Sequence, residues 1–294
     1  MLRATLLLAV IVALAGCGGG ESSADRTVVA AFYPLAWAAE RVAGDDVEVV
    51  NLTPPGAEPH DLELTARDVE RVREADLVLY LGQGFMPALE DAVEGHENAI
   101  DLLAGESLLE GADEHGHDGE SGEPEEEHRL DPHVWLDPRR LAGVARRIGA
   151  ALGDAEAADA LVAELERLDE EYRAGLADCD RRQIVTSHAA FGYLAAAYDL
   201  EQTSLTGISP EAEPSPRALE ALVEEVREHG ATTVFFETLV SPRLAATVAR
   251  EAGAETAALD PVEGLSEEAL DEGRDYLSVM RDNLAVLRGA LGCR

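Results

Sequence analysis

The sequence predicts an α/β protein of two lobes, each a parallel β-sheet flanked by helices, joined by one long rigid helix. Three observations lead there. Short β-rich runs alternate with helical patterns, which argues for parallel sheets with crossover helices. The alternating series occurs twice along 294 residues, 46% of them hydrophobic, enough for two lobes. Between the two series lies a long stretch of helical periodicity.

The elements follow in chain order. "MLRATLLLAVIVALAGC" has one arginine, an apolar run from Ala4 to Ala15 and then small residues, the pattern of a signal peptide over 1–16. The ending at Cys17 resembles a bacterial lipoprotein processing site, with Cys17 the acylated residue, and 17–26 then reads as a lipid-anchored tether. In the first lobe, 27–153, the runs 27–35, 47–54, 76–82 and 98–105 read as strands. The best-marked helix is "TARDVERVREA", 65–75, where Thr65 and Asp68 have capping-box spacing. The segment 105–128 is rich in Gly, Glu and Asp, too polar to bury, and is expected to be disordered. Its His115, His117 and His128 stand among carboxylates. They form either an auxiliary metal loop or a solvated loop with no role, and the sequence leaves both open.

The linking helix is expected over 154–178. Leu161, Leu165, Leu168 and Tyr172 recur at helical spacing, and Glu164–Arg167 and Glu170–Arg173 are spaced as i,i+3 pairs. In the second lobe, 179–294, strands are expected over 183–188, 201–207, 232–238 and 255–261, with helices opening at the two "SPR" triplets, Ser215 and Ser241. In an exported chain, Cys179 and Cys293 are a candidate disulfide, with two separate thiols as the alternative.

The formal charge of −36 disfavours nucleic acid as a partner, which needs a basic footprint. All 23 basic residues are arginine, a composition bias from which no function follows.

Ligands of open α/β sheets bind outside the carboxyl ends of the strands. His60 follows the second expected strand, His133 the fourth, His188 ends the fifth and Asp260 ends the last, two from each lobe at nearly equal separations. Singly, each imidazole reads as a hydrogen-bonded strand-end residue, and Asp260 before Pro261 as a turn former. Jointly, three imidazoles and a carboxylate suit tetrahedral zinc, whereas manganese would want more oxygen. His96 and His229 fall outside this pattern. Trp37 and Trp135 read as wall or core. Neither a phosphate loop nor an HExxH or GxSxG motif is present.

The pieces "GAEPHD" (56–61), "DPHVWLDP" (131–138), "SHAAFGYLAAAYDL" (187–200), "GISPEAEPSP" (207–216), "VFFETLVSP" (234–242) and "LDPVEGL" (259–265) together resemble the zinc/manganese class of metal-binding solute receptors of bacterial ABC importers. The resemblance covers most of 27–292. It implies two α/β lobes joined by one long helix, with metal ligands at His60, His133, His188 and Asp260 and an acidic His-containing loop near 105–128. It also implies an extracytoplasmic zinc receptor that serves a membrane permease and its ATPase. With Cys17 as anchor and four protein ligands leaving no open position for an activated water, the expectation is a non-enzymatic monomer, lipid-anchored to the cell membrane or periplasmic. The alternatives are a manganese or iron receptor of the same class, a zinc-dependent hydrolase with Asp260 as base, and an adhesin or structural lipoprotein whose metal is incidental.

Overall fold

Eight strands form two four-stranded sheets, every pair parallel, in a computed structural model that describes residues 25–111, 130–210 and 214–294. The first sheet holds β1 (Arg26–Ala30), β2 (Val47–Asn51), β3 (Leu77–Tyr80) and β4 (Ala99–Asp101) in the order β2-β1-β3-β4. The second holds β5 (Gln183–Thr186), β6 (Glu201–Ser204), β7 (Thr233–Phe236) and β8 (Glu255–Ala258) in the order β6-β5-β7-β8. The two orders are the same, so each lobe has one topological switch point, between its first and third strands. A crevice opens there beyond the carboxyl ends.

The helices are α1 (Tyr33–Val42), α2 (Ala66–Glu74), α3 (Pro87–Ala92), α4 (Pro138–Leu152), α5 (Ala155–Gly175), α6 (Gly192–Ala197), α7 (Pro216–Glu228), α8 (Arg243–Ala252), α9 (Glu267–Asp271) and α10 (Tyr276–Leu291). Local signals set several starts. Thr65 and Asp68 cap α2 reciprocally, and Ser215 caps α7 through the N–H of Ala218. Ser241 does not cap α8. That helix starts one residue later than the SPR triplet implies, with Pro242 at the N-cap and no side-chain cap.

The expected strand 27–35 is also shorter. The chain leaves the sheet after Ala30, and Tyr33 opens α1. The apolar run continues because α1 is buried on nearly all sides, and a short buried run does not separate strand from helix.

Helix α5 carries Leu161, Leu165, Leu168 and Tyr172 inward, all essentially fully buried. Its 21 residues span about 31 Å. It packs on α1 and α4 of the first lobe and on α10 of the second. The i,i+3 pairs expected along it give way to two tertiary ion pairs and one i,i+4 pair. Glu164 meets Arg41 of α1 at 2.7 Å, Glu171 meets Arg281 of α10 at 2.8 Å, and Arg173 bonds Asp169 one turn back. Tyr172 Oη donates to the Met280 carbonyl at 2.6 Å. One hydrophobic core runs through both lobes, and a smaller cluster lies under α7 and α8. Beyond α5, Cys179 and Cys293 are joined by a disulfide across a sequence separation of 114. Among the described residues no helix is long and apolar enough to cross a membrane.

Candidate metal centre

His60 ends a loop stiffened by Pro54, Pro55 and Pro59. Gly56, at φ +77°, turns this loop so that its N–H reaches the Leu265 carbonyl of the other lobe at 2.9 Å. His133 enters a 3₁₀ turn, Val134–Leu136, whose side chains are all buried. Asp131 Oδ1 accepts the His133 backbone N–H at 2.9 Å and lies 2.7 Å from its Nδ1. His188 leaves β5, and Glu237, leaving β7, repeats the arrangement. Glu237 Oε1 accepts the His188 N–H at 3.1 Å, and its Oε2 lies 2.7 Å from Nδ1. β5 and β7 flank the second lobe's switch point. In both cases a carboxylate fixes the ring's orientation and leaves Nε2 as the outward donor.

Those Nε2 atoms converge. Glu263 Oε1 lies 3.2 Å from His60 Nε2, 3.2 Å from His133 Nε2 and 3.4 Å from His188 Nε2. The Nε2 atoms of His133 and His188 are 3.3 Å apart. One donor atom from each of these four residues lies within 4.8 Å of every other. A tetrahedron with zinc–ligand bonds of ~2.0–2.1 Å has edges of ~3.3–3.4 Å. The three distances from Glu263 Oε1 and the His133–His188 distance match that figure.

His133, His188 and Glu263 are buried at 0–1% exposure, while the His60 side chain keeps 8%. The exposed edge of His60 faces a cleft lined by Gln83, Gly84, Phe85, Pro132, Ile208 and Ser209.

Burial opposes charge on Glu263, but its bonds to His133, His188 and His60 outweigh that and hold its carboxyl well below the usual range. Burial likewise opposes the charged form of His188, yet Glu237 and Glu263 hold it well above the ordinary imidazole value. His133 is raised for the same reason, against its burial, by Asp131 and Glu263. Burial wins only at His60, which is lowered. Glu58 Oε1 accepts the His60 N–H at 3.1 Å, and burial together with the charge of Glu263 pushes the Glu58 carboxyl up to about 9.

Three of the residues singled out from the sequence thus come together, and one does not. Asp260 lies outside the group. Its Oδ2 accepts the Thr238 hydroxyl at 2.8 Å and its Oδ1 accepts the Val262 N–H at 2.7 Å. One oxygen holds the turn after β8 and the other ties that turn to Thr238 past β7, and the turn brings in Glu263 instead. A signal for Glu263 does exist in the sequence: it is a lone charged group close to the apolar Val262 and Leu265. Asp131 and Glu237 were missed as supports, although Glu237 directly follows β7 and Asp131 stands two residues before His133. Cys17, His115, His117 and His128 lie outside the described residues.

Comparison with known proteins follows the same lines. Residues 28–290 match the family described as zinc-uptake complex component A, periplasmic (ZnuA). The chain is 35% identical over 285 residues to the zinc-binding protein AdcA of Streptococcus pyogenes serotype M1, covering 89% of this chain and 55% of that protein. It is therefore similar to about half the length of such relatives. It is 32% identical over 288 residues to the high-affinity zinc uptake system protein ZnuA of Bacillus subtilis strain 168, covering 93% and 90%. Among solved structures, the Zn(II)-bound ZnuA-like domain of Streptococcus pneumoniae AdcA superposes with a TM-score of 0.74 at 32% identity, over 91% of this chain and 99% of that one.

Proposed function

Because the chain belongs to the ZnuA family of periplasmic zinc-uptake components, we propose that it is an extracytoplasmic receptor that captures Zn²⁺ and delivers it to an ABC permease and its ATPase. The metal is cargo. His60, His133, His188 and Glu263 are its ligands, three nitrogens and one oxygen. Asp131 and Glu237 hold two of the imidazoles with Nε2 free for the metal.

The observation that carries this reading is the spacing of the four donors. Four of the six edges, those from Glu263 Oε1 to the three imidazoles and that between His133 and His188, measure 3.2–3.4 Å, as in a zinc tetrahedron, and the two from His60 to the other imidazoles lie within 4.8 Å. Nitrogen-rich coordination favours zinc over manganese, which prefers oxygen. Four protein ligands leave no open position for an activated water, which supports a non-enzymatic role over a zinc hydrolase.

The remaining assignments extend the same reading. Cys17 is the acylated anchor, the protein acts at the outer face of the cell membrane or in the periplasm, and it works as a monomer. Residues 154–178 link a first lobe, 27–153, to a second, 179–294. A single acyl chain binds membranes only marginally, so the anchor carries more than one.

The test is competitive loading of the purified protein with a mixture of zinc, manganese and iron, followed by metal analysis. The reading predicts one zinc per chain, lost in His60→Ala and His188→Ala. Stoichiometric manganese or iron would replace zinc as the cargo, and turnover of ester or peptide substrates would replace the receptor with a hydrolase.

A further inference from the structure

The turn that carries Glu263 is held by groups that lie outside the four donors. Val262 is fully buried and has φ +55°. A β-branched residue in the left-handed region is a conformational outlier, and it persists only where the surroundings impose it. Here three sets of bonds do so. Asp260 Oδ1 accepts the Val262 N–H at 2.7 Å, while its Oδ2 is tied to Thr238. Asn283, buried on α10, grips Asp260 from both sides. Its Oδ1 accepts the Asp260 N–H at 2.9 Å and its Nδ2 donates to the Asp260 carbonyl at 2.7 Å. From the first lobe, Trp135 Nε1 donates to the Pro261 carbonyl at 2.7 Å. Every residue from 260 to 262 is therefore pinned, and the next residue is Glu263.

We propose that Asp260 and Asn283 are positioning residues: they lock the left-handed turn at Val262 that delivers the Glu263 carboxylate to the three imidazoles, and so set zinc affinity without touching the metal. This deepens the zinc-receptor reading and rests on it. The role of Asp260 here is that of a hydrogen-bond acceptor for a backbone N–H. An amide oxygen can play that part as well as a carboxylate, and asparagine also favours turns of this kind. A metal ligand, by contrast, depends on the charge.

The experiment measures the zinc affinity of the full chain by competition with a chromophoric chelator, and the visible absorption of the Co²⁺-loaded protein, for wild type, Asp260→Ala, Asp260→Asn, Asn283→Ala and Glu263→Ala. Asp260→Ala and Asn283→Ala are expected to bind about 10- to 100-fold more weakly, as for groups that support ligands, with an altered Co²⁺ spectrum. Asp260→Asn, which keeps an oxygen for the Val262 N–H, is expected to match wild type in both readouts. The proposal is overturned if Asp260→Asn is as weak as Asp260→Ala, because the charge then matters rather than the turn. It is also overturned if both alanine variants bind like wild type. Should Asp260→Ala fail to fold, the contrast between Asp260→Asn and Asn283→Ala decides in the same way. Wild-type protein that takes no zinc, or Glu263→Ala with undiminished affinity, would instead remove the site reading on which the proposal stands.

Discussion

Glu263 Oε1 lies 3.2 Å from His133 Nε2, a contact between a loop of the second lobe and a 3₁₀ turn of the first. The same oxygen also faces His60 and His188, so one carboxylate holds donors from both lobes at a common point. Glu263→Gln keeps the shape and removes the charge. Its zinc affinity should fall by more than the roughly 10- to 100-fold typical of a supporting group. Chelator competition measures this, and affinity equal to wild type would exclude Glu263 as a ligand.

The carboxylates behind the imidazoles should matter less, but measurably. Glu237 contacts both the backbone N–H and Nδ1 of His188, and Asp131 does the same for His133. Glu237→Gln and Asp131→Asn each should weaken zinc about 10- to 100-fold while leaving one bound zinc at saturation. Titration calorimetry would reveal a lost site or an unchanged affinity, and either contradicts the expectation.

Protons and zinc compete for the same nitrogens. In the metal-free protein His188 is held well above the ordinary value of about 6.5, and His133 above it. A raised histidine pKa stabilises the metal-free fold below the unfolded value, and that contribution is lost as pH rises through the folded value. Zinc requires the deprotonated ring, so its affinity gains over the same interval. The thermal shift on adding zinc should therefore grow as pH rises from about 6 to 8, and loading near neutral pH should release protons. Glu263 acts on the acid side. Its depressed pKa stabilises the fold above the ordinary carboxylate range, and this is lost as pH falls through the folded value. Heats of zinc binding in buffers of different ionisation enthalpy count the protons, and zero release near pH 7 would contradict this.

The disulfide should serve stability rather than the site. Cys179 and Cys293 close a long loop and fix the chain end beside the exit of α5. Cys293→Ser should cost about 2–5 kcal/mol of stability, read by denaturant unfolding, with zinc affinity retained. A large loss of affinity would mean that the lobes' alignment depends on the bridge.

Much of this was legible in the sequence, for physical reasons. Strand–helix alternation with turn residues between the elements located all eight strands, and the buried spacing from Leu161 to Tyr172 located α5. Three imidazoles were found because each sits at a strand's carboxyl end or in a proline-flanked loop beyond it. Glu263, which the structure groups with them, was not, because the obvious carboxylate at the end of β8 bonds its own turn through Oδ1 and Thr238 through Oδ2. Which of two carboxylates three residues apart points inward depends on the left-handed Val262, and no sequence pattern announces that residue's conformation. The strand estimate for 27–35 failed for a related reason. The burial of α1 erased the periodicity that separates helix from strand.

The most direct test of the account is the anomalous diffraction map, recorded at the zinc edge, of crystals of the zinc-loaded protein. The account predicts one strong peak between the lobes, about 2.0–2.2 Å from the Nε2 atoms of His60, His133 and His188 and from a carboxylate oxygen of Glu263, with Asp260 still bonded to Val262. A peak elsewhere, a peak with Asp260 in place of Glu263, or no peak after saturation would contradict it.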